Sequence, residues 1–379
     1  MFNSNENLTE LSLNEYQRYS RQLLLPQIQS AGQHRMRQAK ILCIGAGALG
    51  SASIPYLTAA GIGHITVIDY DIVEISNLQR QIIHNTSYLY QSKVSSTFNY
   101  IRKLNPYCEI KTLQLELKQD NIKKIISRYD LIIDGTDNIE TRYLIDETCK
   151  LLGKPWIYGA VFQFTGQLSV FNYKGGPCYK DIYSKYNSTD TMWSCSEGGI
   201  LGVIPGIIGV LQATEALKII LGIGSILSGH LLIFDSLNFT IKKIKIRQNL
   251  SFESNKKKQT ESVKNLQTIY IDELSNLLKN ENYVFIDVRS TNEYLMEKIP
   301  GAINYPLNKI KYSHSLDEIA KLNKTKIIYC SLDSRSKLAQ QMLDTANISS
   351  IRLEHGLKTW KILKNNATFK RRERDSNPC

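Results

Sequence analysis

The ten residues from Ile41 to Gly50, Ile-Leu-Cys-Ile-Gly-Ala-Gly-Ala-Leu-Gly, leave this chain few ways to fold. A short apolar run that meets G-x-G-x-x-G reads as a buried strand turning sharply into a helix. Gly45, Gly47 and Gly50 then let backbone N–H groups approach a phosphate. Alone, the motif has many chance matches, and its commonest meaning is a dinucleotide cofactor. Beyond the helix, Ile65-Thr66-Val67-Ile68-Asp69 predicts a second strand ending in an acid, about twenty residues past the last glycine, where a ribose hydroxyl needs an acceptor. NAD chemistry fits to this point.

The next residues, from Asp69 to Gln81, add a second acid (Asp71), an amide (Asn77) and a guanidinium (Arg80), for which nicotinamide chemistry has no task. A triphosphate has one. Arg80 can fork onto phosphate oxygens, Lys93 can add a point charge, and Asp137 in Asp134-Gly135-Thr136-Asp137-Asn138 can hold Mg²⁺. On S-N-L-Q-R-Q after D-x-D, on Lys93-Val94, on the D-x-T-D-N stretch Asp134 to Asn138 and on R-Y-S-R-Q at Arg18 to Gln22, the chain resembles the MoeB/ThiF/HesA adenylyltransferases. These are bacterial relatives of ubiquitin-activating enzymes, and the resemblance runs from about Tyr16 to about Arg247. It implies that Gly45, Gly47, Gly50, Asp69, Asp71, Asn77, Arg80, Lys93, Asp137 and Asn138 hold ATP and Mg²⁺. It also implies a homodimer, in which Arg21 reaches the nucleotide of the neighbouring subunit. On its own residues, a helix from Glu15 to Ser30 carrying Arg18 and Arg21 reads rather as a solvated face.

From Lys40 to Asp137, short apolar runs alternate with helical periodicity, which predicts a parallel sheet with right-handed crossovers and strands ending at Ile44, Asp69 and Asp134. Trp156–Ala160 and Gly166–Phe171, the second of mixed polarity, predict a sheet that turns antiparallel in its second half. The longest apolar stretch, Ile200 to Leu227, is interrupted by Gln212, Glu215 and Lys218 at helical spacing, which suits an amphipathic helix rather than a membrane span.

Within the loop from Lys174 to Ser196, the resemblance raises the question of zinc. Many members of the family carry C-x-x-C where this chain has Cys178-Tyr179-Lys180-Asp181, and no cysteine lies between Cys195 and Cys330. A Cys₄ zinc site is therefore not expected, and Cys178 reads as a free buried thiol. Cys195 matches a cysteine of relatives that couple adenylation to sulfur transfer. A thiol before a helix N-terminus has a lowered pKa, which favours a reactive loop thiol; an inert small core residue is the other reading.

The composition from 249 to 267 shifts to Ser, Lys, Asn, Glu and Gln, which reads as a linker. A second domain is expected behind it. Tyr283–Arg289 predicts a buried strand, Lys326–Cys330 another, and the latter ends on a cysteine that opens Cys330-Ser331-Leu332-Asp333-Ser334-Arg335-Ser336 before a helix over Lys337–Leu343. A loop curling from strand end to helix start aims backbone N–H groups at the sulfur, and Arg335 adds positive charge, as a thiolate or persulfide would require. The D-V-R, I-P-G-A and C-x-x-x-x-R-S elements resemble a single-domain rhodanese, which implies a persulfide loop of Cys330, Asp333, Arg335 and Ser336. Glycine is usual in that family at the position of Asp333. Its carboxylate could oppose persulfide charge or merely accept a left-handed conformation.

The expected architecture is thus α/β throughout: a Rossmann-like ATP-binding domain with a mixed sheet of the ubiquitin-activating-enzyme type, plus a small α/β rhodanese-like domain. The expected boundaries are a disordered 1–15, an adenylyltransferase domain at 16–248, a linker at 249–267, a rhodanese domain at 268–365 and a basic tail at 366–379. Together the two resemblances imply an enzyme that adenylylates the C-terminal Gly-Gly of a ubiquitin-like sulfur carrier and supplies sulfur to it. In this reading Arg21, Arg80, Cys195 and Cys330 are the catalytic residues. The carrier is MoaD-like, as for molybdenum cofactor biosynthesis, or ThiS-like, as for thiamine; a cysteine desulfurase or another donor supplies the sulfur. From other classes, an NAD-dependent oxidoreductase explains only the glycines and Asp69, and a carrier-binding scaffold would carry an inactive rhodanese.

A net charge of +12 raises the question of nucleic acid, yet the basic residues concentrate at 241–258 and 370–374 without aromatic residues to stack bases. Neither nucleic acid nor membrane is an expected partner. Seven cysteines, at 43, 108, 149, 178, 195, 330 and 379, lack the spacing of a disulfide scaffold, and the polar N-terminus shows no signal or transit peptide. A reducing compartment follows: the cytoplasm or, given the Lys/Ile/Asn-rich bias, the stroma of a plastid that encodes the protein.

Overall fold

The computed structural model describes residues 10–183, 199–248, 268–269, 282–310, 312–331, 334–361 and 364. The chain divides into two compact units between Lys256 and Lys257.

In the first unit, α1 (Leu13–Leu23) and α2 (Gln29–Gln38) precede β1 (Lys40–Ile44), α3 (Gly50–Ala60), β2 (His64–Ile68), α4 (Lys93–Leu104) and β3 (Glu109–Leu113). There follow α5 (Ile122–Ile126), β4 (Leu131–Asp134), α6 (Ile139–Leu152), β5 (Trp156–Phe162), β6 (Thr165–Phe171), α7 (Val203–Leu221), β7 (His230–Asp235) and β8 (Thr240–Lys245). Two expectations for the start of the chain change. Residues 10–15 are not a free end: Leu11 is buried, and Ser12 opens α1 with a capping box to Glu15. The helix expected to run to Ser30 stops at Leu23, and after a turn holding Pro26 α2 begins at Gln29, whose φ is +50°.

The eight strands pair in the order β3-β2-β1-β4-β5-β6-β7-β8. The pairs from β3 to β5 are parallel and those from β5 to β8 antiparallel, so the sheet is mixed as the polarity pattern predicts. Strands β1, β2 and β4 are apolar runs because both faces are covered: Ile41, Cys43, Ile65 and Ile133 enter one core, and Leu42, Ile44, Ile68 and Ile132 another. Strand order reverses between β1 and β4, which opens a crevice at their carboxyl ends.

Helix α7 has the length and composition of a membrane span, yet it packs against α3, β5 and β6. Its two buried polar residues are hydrogen-bonded within the fold, although Gln212 Oε1 finds no partner among the described residues. Gln212 Nε2 donates to the Asp134 carbonyl at 2.6 Å, and Glu215 accepts from the Leu227 N–H at 2.8 Å.

The second unit contains β9 (Thr268–Ile269), β10 (Tyr283–Asp287), α8 (Thr291–Met296), β11 (Ile303–Asn304), α9 (Leu307–Ile310), α10 (Ser313–Ala320), β12 (Thr325–Tyr329), α11 (Ser334–Thr345) and β13 (Ser350–Leu353). All pairs of its sheet, β11-β10-β12-β13-β9, are parallel. Apolar residues of β10 and β12 alternate between two small cores, Ile286 and Ile328 on one side and Phe285 and Ile327 on the other. Cys330 follows directly on β12.

Candidate active sites

The glycine loop between β1 and α3 is fixed by contact with the end of β4. Gly45 has φ +97°, and a Cβ there would stand 2.8 Å from the Gly135 carbonyl oxygen. A Cβ at Gly50 would stand 2.3 Å from the carbonyl oxygen of Gly45. Both positions therefore exclude any side chain for reasons internal to the fold. Gly47 differs, because the nearest atom to a Cβ there is Gln81 Nε2 at 3.8 Å. The room it leaves belongs to a cavity of about 430 Å³ that Gly45 and Gly47 both line.

That cavity sits at the crevice between β1 and β4. Of the residues singled out in the sequence, Asp69, Asp71, Arg80, Lys93, Asp137 and Asn138 also line it. Lys93, the first residue of α4, is 6% exposed, and its ammonium lies 3.0 Å from the Asp71 carboxylate. Arg80 is half-buried and donates to the Ser76 carbonyl at 2.9 Å. Asp137 is exposed, and among the described residues its carboxylate makes no hydrogen bond or ion pair.

Other residues are engaged in unexpected ways. The Asp69 carboxylate accepts the N–H of Ala46 and the N–H of Asp71, each at 2.8 Å, which ties the end of β2 to the glycine loop. Burial raises its pKa, opposed by the nearby Lys93. Asn138 Oδ1 caps α6 by accepting from the N–H groups of Glu140 and Thr141 at 2.8 and 3.2 Å. Asn77 does not line the cavity; it is buried, and its Oδ1 accepts the Glu74 N–H at 3.2 Å. Arg21 is exposed on α1 and does not line the cavity of its own chain.

Sequence reasoning passed over three features. Gln81 lines the cavity with its buried Oε1 lacking a partner. Glu116 adds another carboxylate to the wall. In the wall as well, Arg142 of α6 pairs with the buried Asp134 at 3.0 Å, with side-chain exposures of 5% and 0%. Arg142 also donates to the carbonyls of Thr136 and Gly159 and lies over the Tyr158 ring at 5.1 Å. Asp134 further accepts the N–H and hydroxyl of Thr136 at 2.9 and 2.6 Å, so the pair anchors the turn that presents Asp137. The only available signal was a lone arginine on the apolar side of a helix.

The residues present fit a nucleoside triphosphate. The loop leaves open space at Gly47, Arg80 and Lys93 line the cavity beside the already paired Arg142, and among the described residues the Asp137 carboxylate is unspent. Zinc is a different matter. The Cys178 N–H donates to the Asp181 carboxylate at 2.8 Å, burial pushes the thiol up to about 11, and the cysteine is free and half-buried. Among the described residues no group of three or more His, Cys, Asp or Glu is placed to hold a metal ion, so the donors of a zinc site are not assembled there. Cys195 lies outside the described residues.

In the second unit, Cys330 is 1% exposed, with Sγ 3.5 Å from the Ser336 hydroxyl, and its carbonyl accepts the Leu357 N–H at 2.8 Å. Arg335, expected to offer its charge to the sulfur, forks onto Glu293 of α8 at 2.7 and 2.9 Å and donates to the Ser331 hydroxyl at 3.1 Å. The Arg335 charge is thus shared with a carboxylate. Burial opposes ionisation of Glu293, but hydrogen bonds from Arg335 and Ser290 prevail and hold its pKa at about 2. Leu332 and Asp333, and with them the question of Asp333 in the loop, lie outside the described residues. The D-V-R element is a buried pair in which Arg289 chelates Asp287 at 2.6 to 3.1 Å.

Residues 19–254 match the ThiF family, and residues 270–363 match a rhodanese-like domain. The chain is 43% identical over 372 residues to a probable molybdopterin-synthase adenylyltransferase of Porphyra purpurea, covering 95% of this chain and 96% of that protein. It is 36% identical over 363 residues to the adenylyltransferase and sulfurtransferase MOCS3 of Aedes aegypti, covering 89% and 83%. Among solved structures, E. coli MccB with ATP superimposes with a TM-score of 0.53 at 19% identity, covering 61% of this chain and 72% of that one. PaaA gives 0.54 at 20% identity, covering 65% and 78%. At these identities the structures establish the fold alone.

Proposed function

The chain belongs to the ThiF family and carries a rhodanese-like domain behind it, and from this premise we propose that it activates the C-terminal Gly-Gly carboxylate of a ubiquitin-like sulfur carrier with ATP and then delivers sulfur to it. The carrier of this reading is the small, MoaD-like subunit of molybdopterin synthase, in molybdenum cofactor biosynthesis. The names of the relatives from Porphyra purpurea and Aedes aegypti support it over nearly the whole chain.

The observation that carries the reading is the cavity at the β1/β4 crevice, where the glycine loop, Arg80, Lys93 and Asp137 meet. A carboxylate is a poor electrophile until one of its oxygens becomes a good leaving group. Attack of the carrier carboxylate on the α-phosphate of ATP forms an acyl-adenylate and expels pyrophosphate. Arg80 and Lys93 are placed to neutralise charge that develops on the phosphates, and the glycine loop offers N–H groups without steric cost. Bound Mg²⁺, held through Asp137, would supply further charge neutralisation. The ribose is assigned to the region of Asp69 and Asp71. Arg21, which does not line the cavity of its own chain, is assigned to the site of the second subunit of a homodimer.

In the second half-reaction a persulfide on Cys330 attacks the acyl carbon and AMP leaves. A second thiol, for which Cys195 is the candidate, then attacks the Cys330 sulfur, releasing the thiocarboxylate and leaving a disulfide. A cysteine desulfurase or another donor recharges Cys330 after reduction. This chemistry needs a reducing compartment, the cytoplasm or a plastid stroma; five cysteines among the described residues are free thiols.

The test is ATP–pyrophosphate exchange that depends on a carrier ending in Gly-Gly. It should appear with a MoaD-like carrier and vanish in Asp137→Ala and Arg80→Ala, both of which act on charge rather than packing. Stimulation by a ThiS-like carrier alone would move the protein to thiamine biosynthesis. Exchange undiminished in either variant would remove the assignment of the site.

A further inference from the structure

One buried histidine has no part in the mechanism above, yet it touches the glycine loop. His84 is 5% exposed and lies between two elements of the site. Its Nε2 is 2.9 Å from the carbonyl oxygen of Ala46, the residue between Gly45 and Gly47, and its Nδ1 is 2.9 Å from the hydroxyl of Ser96 on α4. A carbonyl oxygen can only accept, so Nε2 carries the proton and donates, while Nδ1 accepts from the Ser96 hydroxyl. The Ala46 N–H, on its other side, donates to Asp69. The middle of the loop is thus held at both of its backbone polar groups.

We propose that His84 is a positioning residue for the triphosphate: by holding the Ala46 carbonyl turned into the protein, it aims the Gly47 N–H into the cavity, and Ser96 fixes the tautomer that does so. The geometry follows from the planar trans peptide, in which the carbonyl of one residue and the N–H of the next point in opposite directions. Gly47 lines the cavity and His84 does not. With its hydrogen bond lost, the Ala46–Gly47 peptide is free to flip and present a carbonyl dipole where an anion must sit. The link through Ser96 ties the loop to the helix whose first residue is Lys93, so the N–H donor and the ammonium are held in one frame. Burial, aided by the charge of Lys93 and opposed by the bond to Ala46, lowers the His84 pKa to about 4, so the ring remains the neutral donor throughout the working range.

This inference rests on the reading of the cavity as a nucleotide site, and the experiment separates the two. Affinity for a non-hydrolysable ATP analogue with Mg²⁺ is measured on the full-length protein without carrier. His84→Phe should weaken it about tenfold, which corresponds to about 1.4 kcal/mol and to one buried hydrogen bond. His84→Gln, whose amide can donate to Ala46, should recover part of the loss, and Ser96→Ala should weaken binding about threefold. Uptake of labelled sulfur onto Cys330, which needs no nucleotide, should be unchanged in all three. In the nitrogen-15 spectrum of the wild type, His84 should be protonated on Nε2 and bare on Nδ1 at both pH 7 and pH 5.5. A wild type that binds no nucleotide would sink the functional reading. A wild type that binds, together with an equally tight Phe variant, a Gln variant no better than Phe, or a proton on Nδ1, would sink the role of His84. Should the Phe variant fail to fold, the tautomer and the Ser96→Ala affinity decide.

Discussion

Replacing Arg142 by Met should damage the first unit far more than a single lost ion pair on the surface would. Arg142 and Asp134 are both essentially out of water, 3.0 Å apart, and Arg142 is the only cation on the Asp134 carboxylate among the described residues. Met fills a similar volume and removes the charge. Asp134 keeps its two bonds from Thr136, but a buried carboxylate without its cation costs about 3–5 kcal/mol. For a unit of this size each kcal/mol lowers the melting temperature by roughly 2–4 °C, so a fall of roughly 6–20 °C is expected in the calorimetric transition of this unit. The double variant Asp134→Asn/Arg142→Met removes the stranded charge while keeping an acceptor for Thr136, and should regain more than half of the loss. Proton linkage gives an independent check. Burial raises the Asp134 pKa and Arg142 opposes it, so without Arg142 the folded-state value rises further above the unfolded one. An acid with a raised folded pKa costs most at high pH, so the gap between variant and wild type should narrow as pH falls from 7 towards 4. A loss under about 1 kcal/mol, or no rescue by Asn, would show that the pair is not the desolvated one described here.

Three further outcomes follow from the geometry. Gly47→Ala finds open space within the protein and should leave stability nearly unchanged while abolishing ATP binding, whereas Gly50→Ala meets the Gly45 carbonyl at 2.3 Å and should lose stability as well; thermal melts beside nucleotide titrations separate the two. His84, whose folded pKa is lowered from 6.5 to about 4, binds a proton more readily when unfolded, so its contribution is full above pH 6.5 and is lost as pH falls towards 4; about 3 kcal/mol of acid sensitivity, read from urea midpoints, should be missing in His84→Phe. Cys330→Ala should leave carrier-dependent pyrophosphate exchange intact and stop the uptake of labelled sulfur, and normal sulfur uptake would mean that the second unit is not the sulfurtransferase.

The sequence exposed those parts of the site that are set by backbone geometry. Gly45 and Gly50 are dictated by hard contacts with neighbouring backbone, and such positions leave a mark that no other residue can imitate. Arg80, Lys93 and Asp137 were legible because charged side chains clustered behind a glycine loop need a charged ligand to explain them. The polar residues of the same motifs were less transparent. Asn77 and Asn138 look like ligand contacts in a list of residues, but each is used by its own turn, one for the Glu74 N–H and one to cap α6. Asp134 and Arg142 escaped because an ion pair joining a strand end to the inner side of a helix has no short-range signature. The break between α1 and α2 is instead a local matter, set by Pro26 and the turn around it, and hydrophobic spacing alone ran past it.

The two units handle charge in opposite ways, and this bears on how each reaction is driven. Around the first cavity, among the described residues, Asp137 makes no ion pair and Lys93 pairs with a half-exposed Asp71, so the field is completed by whatever enters. A substrate with several negative charges and its metal ion is what such a field favours. Beside Cys330 the strong charges are already matched: Arg335 with Glu293, and Arg289 with Asp287. With Glu293 held at about 2, the match persists at any pH at which the protein works. The Arg335 guanidinium therefore stands in the loop as one half of an ion pair. The sulfur itself is buried, 3.5 Å from the Ser336 hydroxyl, and α11 opens four residues after it. In the proposed reaction the energy for sulfur transfer comes from the acyl-adenylate, so the second unit has to hold the sulfur rather than drive its transfer.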